Sequence, residues 1–151
     1  MKETNFMLIA LNEAKKADKK NEIPIGACIV KNNKVISKGY NKRERKQNAL
    51  LHAEIIAINK ACKKLKTWRL DDCDIYVTLE PCLMCFGAIL NARIKNVYFG
   101  ASDTSGNGIY ANVKDVTLPI LNHKINIIKD VEKESCENII KNFFKEKARK
   151  K

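Results

Sequence analysis

The chain has 151 residues, a length that suits one domain burying roughly 68–70% of the surface its unfolded chain would expose. Its 29 Lys and Arg against 17 Asp and Glu give a formal charge of +12. No apolar run approaches the ~20 residues of a membrane helix, and the early apolar run is too short for a secretory signal, so a soluble, cytoplasmic protein without a disulfide framework is expected.

Taken in chain order, Phe6, Ala10, Leu11, Ala14 and Ala17 recur at helical spacing and predict an amphipathic helix over 3–20. Residues 25–30 (IGACIV) and 34–40 (KVISKGY) read as strands, and Asn32-Asn33 between them suits the positive φ values of a tight hairpin. A helix over 52–65 should bury Ile55, Ile58, Ala61 and Leu65. Then follow a strand at 74–80 and a helix at 82–92 that is apolar almost all round. Further strands are expected at 96–101 and 125–129, and a last helix at 133–147. Residues 102–124 read as irregular or short-helical. Strands alternating with helices imply a single α/β domain over 1–151, with helices on both faces of one sheet and a basic C-terminal helix and tail. The hairpin pair should be antiparallel and the later strands largely parallel. Cys28 and Cys136 sit in apolar patterns and read as core, whereas Cys62 and Cys73 belong to no motif.

The basic runs NKRERK (41–46), KACKKLKTWR (60–69) and KNFFKEKARKK (141–151) carry much of the charge. They fit an electrostatic footprint for nucleic acid. They equally fit a coding bias that favours Lys, Asn and Ile.

The stretch TLEPCLMCFG (78–87) places Cys82 and Cys85 three positions apart after a strand. Pro81 is expected in the first turn of the helix, where its missing N–H costs little. The two thiols would share one face at the helix N-terminus, whose partial positive charge lowers thiol pKa. A redox pair is one reading, and half of a zinc site is the other. A structural zinc would need two more ligands of the usual kind, and the chain has only His52 and His123. His52, Cys82 and Cys85 make three ligands and leave one position open, as in catalytic zinc sites, where the metal lowers the pKa of bound water toward ~7. Glu54, two residues after His52, could carry a proton between that water and a substrate. Alone it would be an ordinary first-turn acid.

His-Ala-Glu (52–54) followed by Pro-Cys-x-x-Cys (81–85) resembles the signature of the zinc-dependent cytidine and nucleobase deaminases. The longer stretch WRLDDCDIYVTLEPCLMCFGAILNARIKNVYFGASD (68–103), with EIPIGACIV, GYN, NHKI and NFFKEKARK, resembles the bacterial tRNA-specific adenosine deaminases from Glu22 to Arg149. That resemblance implies a cytidine deaminase-like fold, a three-layer α/β/α sandwich on a five-stranded mixed sheet. It implies one zinc per chain on His52, Cys82 and Cys85, with Glu54 as the catalytic proton shuttle. It implies that Asn41 bonds the target base, that Asn122 and Phe144 contact the RNA around it, and that Asp103 meets the neighbouring nucleotide. A tRNA anticodon stem-loop as substrate and a homodimer are likewise implied. Each of these residues has a plainer reading: Asn41 could end a strand, Asp103 and Asn122 could be turn residues, and Phe144 could anchor the last helix. Two segments depart from the family pattern, NALL (48–51), where DPTA is usual, and TSGNGIYA (104–111). A free-base deaminase for guanine or cytosine and a non-catalytic zinc-stabilised RNA-binding module are the competing functions.

Overall fold

The structure is a computed structural model, and it describes residues 2–109 and 124–149. Its elements are α1 (Lys2–Lys19), β1 (Gly26–Lys31), β2 (Lys34–Tyr40), α2 (Arg43–Lys46) and α3 (Ala53–Leu65), then β3 (Cys73–Leu79), α4 (Leu83–Asn91), β4 (Asn96–Ala101), β5 (Asn126–Ile128) and α5 (Lys133–Arg149). The expected five-stranded mixed sheet is present, in the order β2-β1-β3-β4-β5. Asn32 and Asn33 both have positive φ, as the hairpin requires.

Alternation along the strands builds the layers. Ala27, Ile29, Ile75, Val77, Val97 and Phe99 face Ala53, Ala57, Ala61 and Ile89 of α3 and α4. Their neighbours Cys28, Val30 and Tyr76 face Met7, Ala10 and Leu11 of α1 and Cys136 of α5. Burying each large aliphatic or aromatic side chain here contributes about 1.5–3 kcal/mol. Glycines set the helix–sheet distance. A Cβ on Gly26 would run into the α1 backbone at Ala10 and Ala14, and one on Gly39 would stand 2.6 Å from the Ala53 carbonyl oxygen of α3.

Three sequence expectations change. α2 was not anticipated, because its four residues RERK carry no apolar periodicity. The apolar residues that α3 buries are Ala53, Ile56, Ala57, Ile58 and Ala61, while Ile55 and Leu65 are only half-buried, since small residues let the helix lie close over Gly39. Pro81 stands before the helix rather than inside it: Cys82 is the N-cap of α4, and Leu83 opens the helix.

The topology fixes where a site can form. β1 is antiparallel to both β2 and β3, and β3 is parallel to β4. β2, β3 and β4 therefore run the same way, and their C-terminal ends open on one edge. Asn41, the 80–85 segment and the 102–108 segment all leave that edge, the usual place for a ligand on an α/β sheet.

Candidate active site

His52 and Cys82 are both helix N-caps, of α3 and α4, and neither side chain makes a capping hydrogen bond. A residue in that position usually turns its side chain onto the helix backbone. These two turn toward each other instead. His52 Nδ1 lies 3.7 Å from Cys82 Sγ and 3.7 Å from Cys85 Sγ. The three donor atoms lie within 4.8 Å of one another, and among the described residues they form a group able to hold a metal ion. Tetrahedral coordination with Zn–S of ~2.3 Å and Zn–N of ~2.0–2.1 Å separates sulfur from nitrogen by about 3.6 Å. The two observed sulfur–nitrogen distances match that separation.

The sequence expected the helix end to depress both thiols; only Cys82 is depressed, and chiefly by its side-chain neighbours. Donation from the Cys85 thiol, aided by His52, holds Cys82 down at about 4, and the same bond pushes Cys85 up. Two adjacent sulfurs do not both ionise without a cation between them. His52 is raised by its bond to the Cys82 sulfur. A divalent metal would reverse the balance at Cys85 by drawing out its proton.

Glu54 occupies the first turn of α3 with 4% of its surface exposed. Burial pushes its carboxyl up to about 7, and it shares a hydrogen bond with Cys85. It thus lies against the cluster without belonging to the ligand group. Beside His52 a small pocket is lined by Ile23, Ile25, Asn41, Arg43 and Ala53. Asn41 is buried there; its Nδ2 donates to the Ile23 carbonyl (3.3 Å) and its Oδ1 accepts from the Arg43 N–H (3.1 Å). One amide hydrogen and one lone pair remain for a ligand.

The other expected site residues divide. Asp103 caps its own turn: Oδ1 accepts from the Ser105 N–H (2.8 Å) and hydroxyl (2.6 Å). Phe144 is 48% exposed, and its ring meets Phe143 edge-on at 5.3 Å; Phe143 is the buried anchor of α5. Asn122 lies outside the described residues, as do His123, residues 110–111 of the divergent 104–111 segment, and Lys150 and Lys151.

Two buried carboxylates that bond to the loops around the site, Glu80 and Glu22, were not legible in the sequence. Glu80 Oε1 accepts the Asp103 N–H (3.0 Å), and its carboxylate fills the space a side chain at Gly108 would need. Gly108 in turn bridges Cys82, so Glu80 ties the 103–108 segment to the loop that carries Cys82. Glu22 accepts from the Glu44 and Arg45 N–H groups of α2 at 3.1 and 2.8 Å. The only signal in the sequence was an acid placed next to an apolar strand.

The family model of the MafB19-like deaminases matches residues 1–148. The chain belongs to that deaminase family. A tRNA-specific adenosine deaminase of Bacillus subtilis is 41% identical over 146 residues, covering 97% of this chain and 91% of its own. A solved structure from a study of A-to-I editing by tRNA:A34 deaminases at the wobble position is 38% identical, with a TM-score of 0.84, and 90% of this chain and 99% of that one are covered. A guanine deaminase structure, also from Bacillus subtilis, is 37% identical with a TM-score of 0.65 over 75% of this chain and 77% of that one. That guanine deaminase thus matches a smaller share of this chain than the tRNA:A34 deaminase structure does, while a guanine deaminase of Nitrosomonas europaea at 19% identity shares the fold over 93% of it.

Proposed function

We propose that this deaminase converts adenosine to inosine at the wobble position of a tRNA anticodon. The observation that carries the reading is the converged His52–Cys82–Cys85 cluster with buried Glu54 beside it, in a chain that matches tRNA-specific adenosine deaminases nearly end to end. One zinc ion per chain fits the three donors. When bound, it supplies the Lewis acidity that makes water a nucleophile at neutral pH.

The protein's own residues do the rest. Glu54 takes one proton from the attacking water and delivers it to the purine ring nitrogen, then carries the second, from the new C6 hydroxyl, to the departing amine as the C6 carbonyl forms. Water adds at C6, the bond from C6 to the exocyclic nitrogen breaks, and ammonia leaves. Asn41 holds the base edge with its free amide hydrogen and lone pair. C6 of a stacked, paired adenine is out of reach, so the base must be unpaired and turned into the pocket, as an anticodon loop allows. Asp103, Asn122 and Phe144 contact neighbouring nucleotides, Phe144 through its exposed ring. The catalytic unit is one domain of residues 1–151 that works in the cytoplasm, where tRNA is found.

Incubation of purified protein with unmodified tRNA should yield inosine, while free guanine, cytosine and adenosine are turned over poorly. Affinity should fall steeply with salt. Removing residues 147–151 should flatten that dependence and leave the zinc site intact. Turnover of a free base, indifferent to salt and to the tail, would instead favour the guanine or cytosine reading.

A homodimer completes this proposal. α4 buries Cys85, Phe86, Ile89 and Leu90 but leaves Leu83 52% exposed, and Met84 and Ala88 half-covered. Space around Gly87 is open. α5 packs on the opposite face of the sheet and does not cover this side. A second copy would bury this face. Sedimentation at micromolar concentration should show a dimer, and Leu83→Lys should shift it toward monomer.

A further inference from the structure

We propose that α2 and its flanks form a phosphate-docking rim for the RNA strand that carries the target base, with buried Glu22 as the positioning residue that sets it. The inference rests on the RNA reading above and extends it to residues outside the zinc cluster. Asn41, at the base pocket, runs directly into Lys42, Arg43, Arg45 and Lys46. Lys20 joins them from the end of α1: its Nζ donates to the Tyr40 hydroxyl at 2.9 Å, and Lys42 Nζ stands 4.8 Å over the same ring. Five cations thus lie on α2 and its flanks, with Arg43 lining the pocket itself and Glu44, 3.5 Å from Arg43, as the one acid in the 41–46 run. Arg43, Arg45, Lys46 and Lys20 are exposed.

A four-residue helix is too short to hold itself. Its cap residue Lys42 offers no side-chain bond, and Glu22, 1% exposed and remote in sequence, accepts two of its N–H groups instead. The adjacent Ile23 carbonyl takes the Asn41 amide, so one short segment aligns both the base-binding residue and the rim. With those N–H groups satisfied by Glu22, anion binding falls to the side chains. A strand whose base is turned into the pocket must bring its own phosphates past the mouth, where a basic rim meets them. A free base carries no phosphate and gains nothing from it.

The test uses the full-length zinc protein and an unmodified anticodon stem-loop RNA. In K42A/R45A/K46A, KM should rise about tenfold or more, with the loss on KM rather than kcat. The slope of log affinity against log salt should fall by about 2, at ~0.7 per single-strand phosphate contact. Glu22→Gln, which replaces an acceptor oxygen by a donor, should raise KM too. Its effect should largely vanish in the triple-variant background, because it acts through the rim. An unchanged salt slope and KM in the surface triple variant would overturn the rim. A Glu22→Gln effect that adds in full to the triple variant would overturn the positioning role. Inosine formed by the wild type alongside either result leaves the proposed function standing. No inosine from any RNA defeats that function itself, and no RNA binding defeats both.

Discussion

Replacing Glu54 by Ala or Gln will lower kcat by at least the ~10²–10⁴-fold typical of a general acid–base group, with zinc content unchanged. The larger end of that range, or beyond it, is expected because one carboxyl serves several proton transfers: from the water, to the ring and to the leaving ammonia. Its position supports this economy. Glu54 follows the ligand His52 by two residues in the first turn of α3, so it faces the cluster without being one of the donors. Burial raises its carboxyl to about 7, where it both accepts and releases a proton readily at neutral pH. Gln keeps the shape and one acceptor but cannot shuttle a proton, so Gln and Ala should be similarly inactive. The check is inosine formation at saturating RNA together with metal analysis of the same sample. A near-normal rate would remove Glu54 from the chemistry, and lost zinc would make it a ligand.

Purified active protein will hold one zinc per chain, and stripping it will abolish turnover until zinc is restored. X-ray absorption should show two sulfurs near ~2.3 Å and one nitrogen near ~2.0–2.1 Å. Cys85→Ala or His52→Ala should lose the metal and the activity together. Binding should also release protons. Cys82 is held as a thiolate down to about 4, but Cys85 keeps its proton and His52 is raised, so both resist deprotonation until a metal binds. Zinc must displace those protons, and its affinity should therefore rise with pH across the neutral range. Active protein free of zinc, or a fourth protein ligand, would overturn the open-site reading. An affinity that falls with rising pH would overturn the proton assignment.

The local parts of this protein were legible in its sequence because their causes are local. The apolar run at 96–101 gave β4, Asn32-Asn33 gave the hairpin, and the spacing of Cys82 and Cys85 put both at one helix end. The spacing of His52, Cys82 and Cys85 pointed to a three-donor candidate metal site. Tertiary structure decided everything that depends on distant segments meeting. His52 and Cys82 stand 30 residues apart, and only the common direction of β2, β3 and β4 brings the two helix N-termini to one edge. The same holds for Phe143 and Phe144, where periodicity alone did not say which ring turns inward. Glu22 and Glu80 bond to backbone N–H groups 22 and 23 residues away, and a backbone donor is the same whatever side chain it carries. Such bonds leave no pattern along the chain, so α2 and the 103–108 segment could be located only once the sheet had brought these carboxylates beside them.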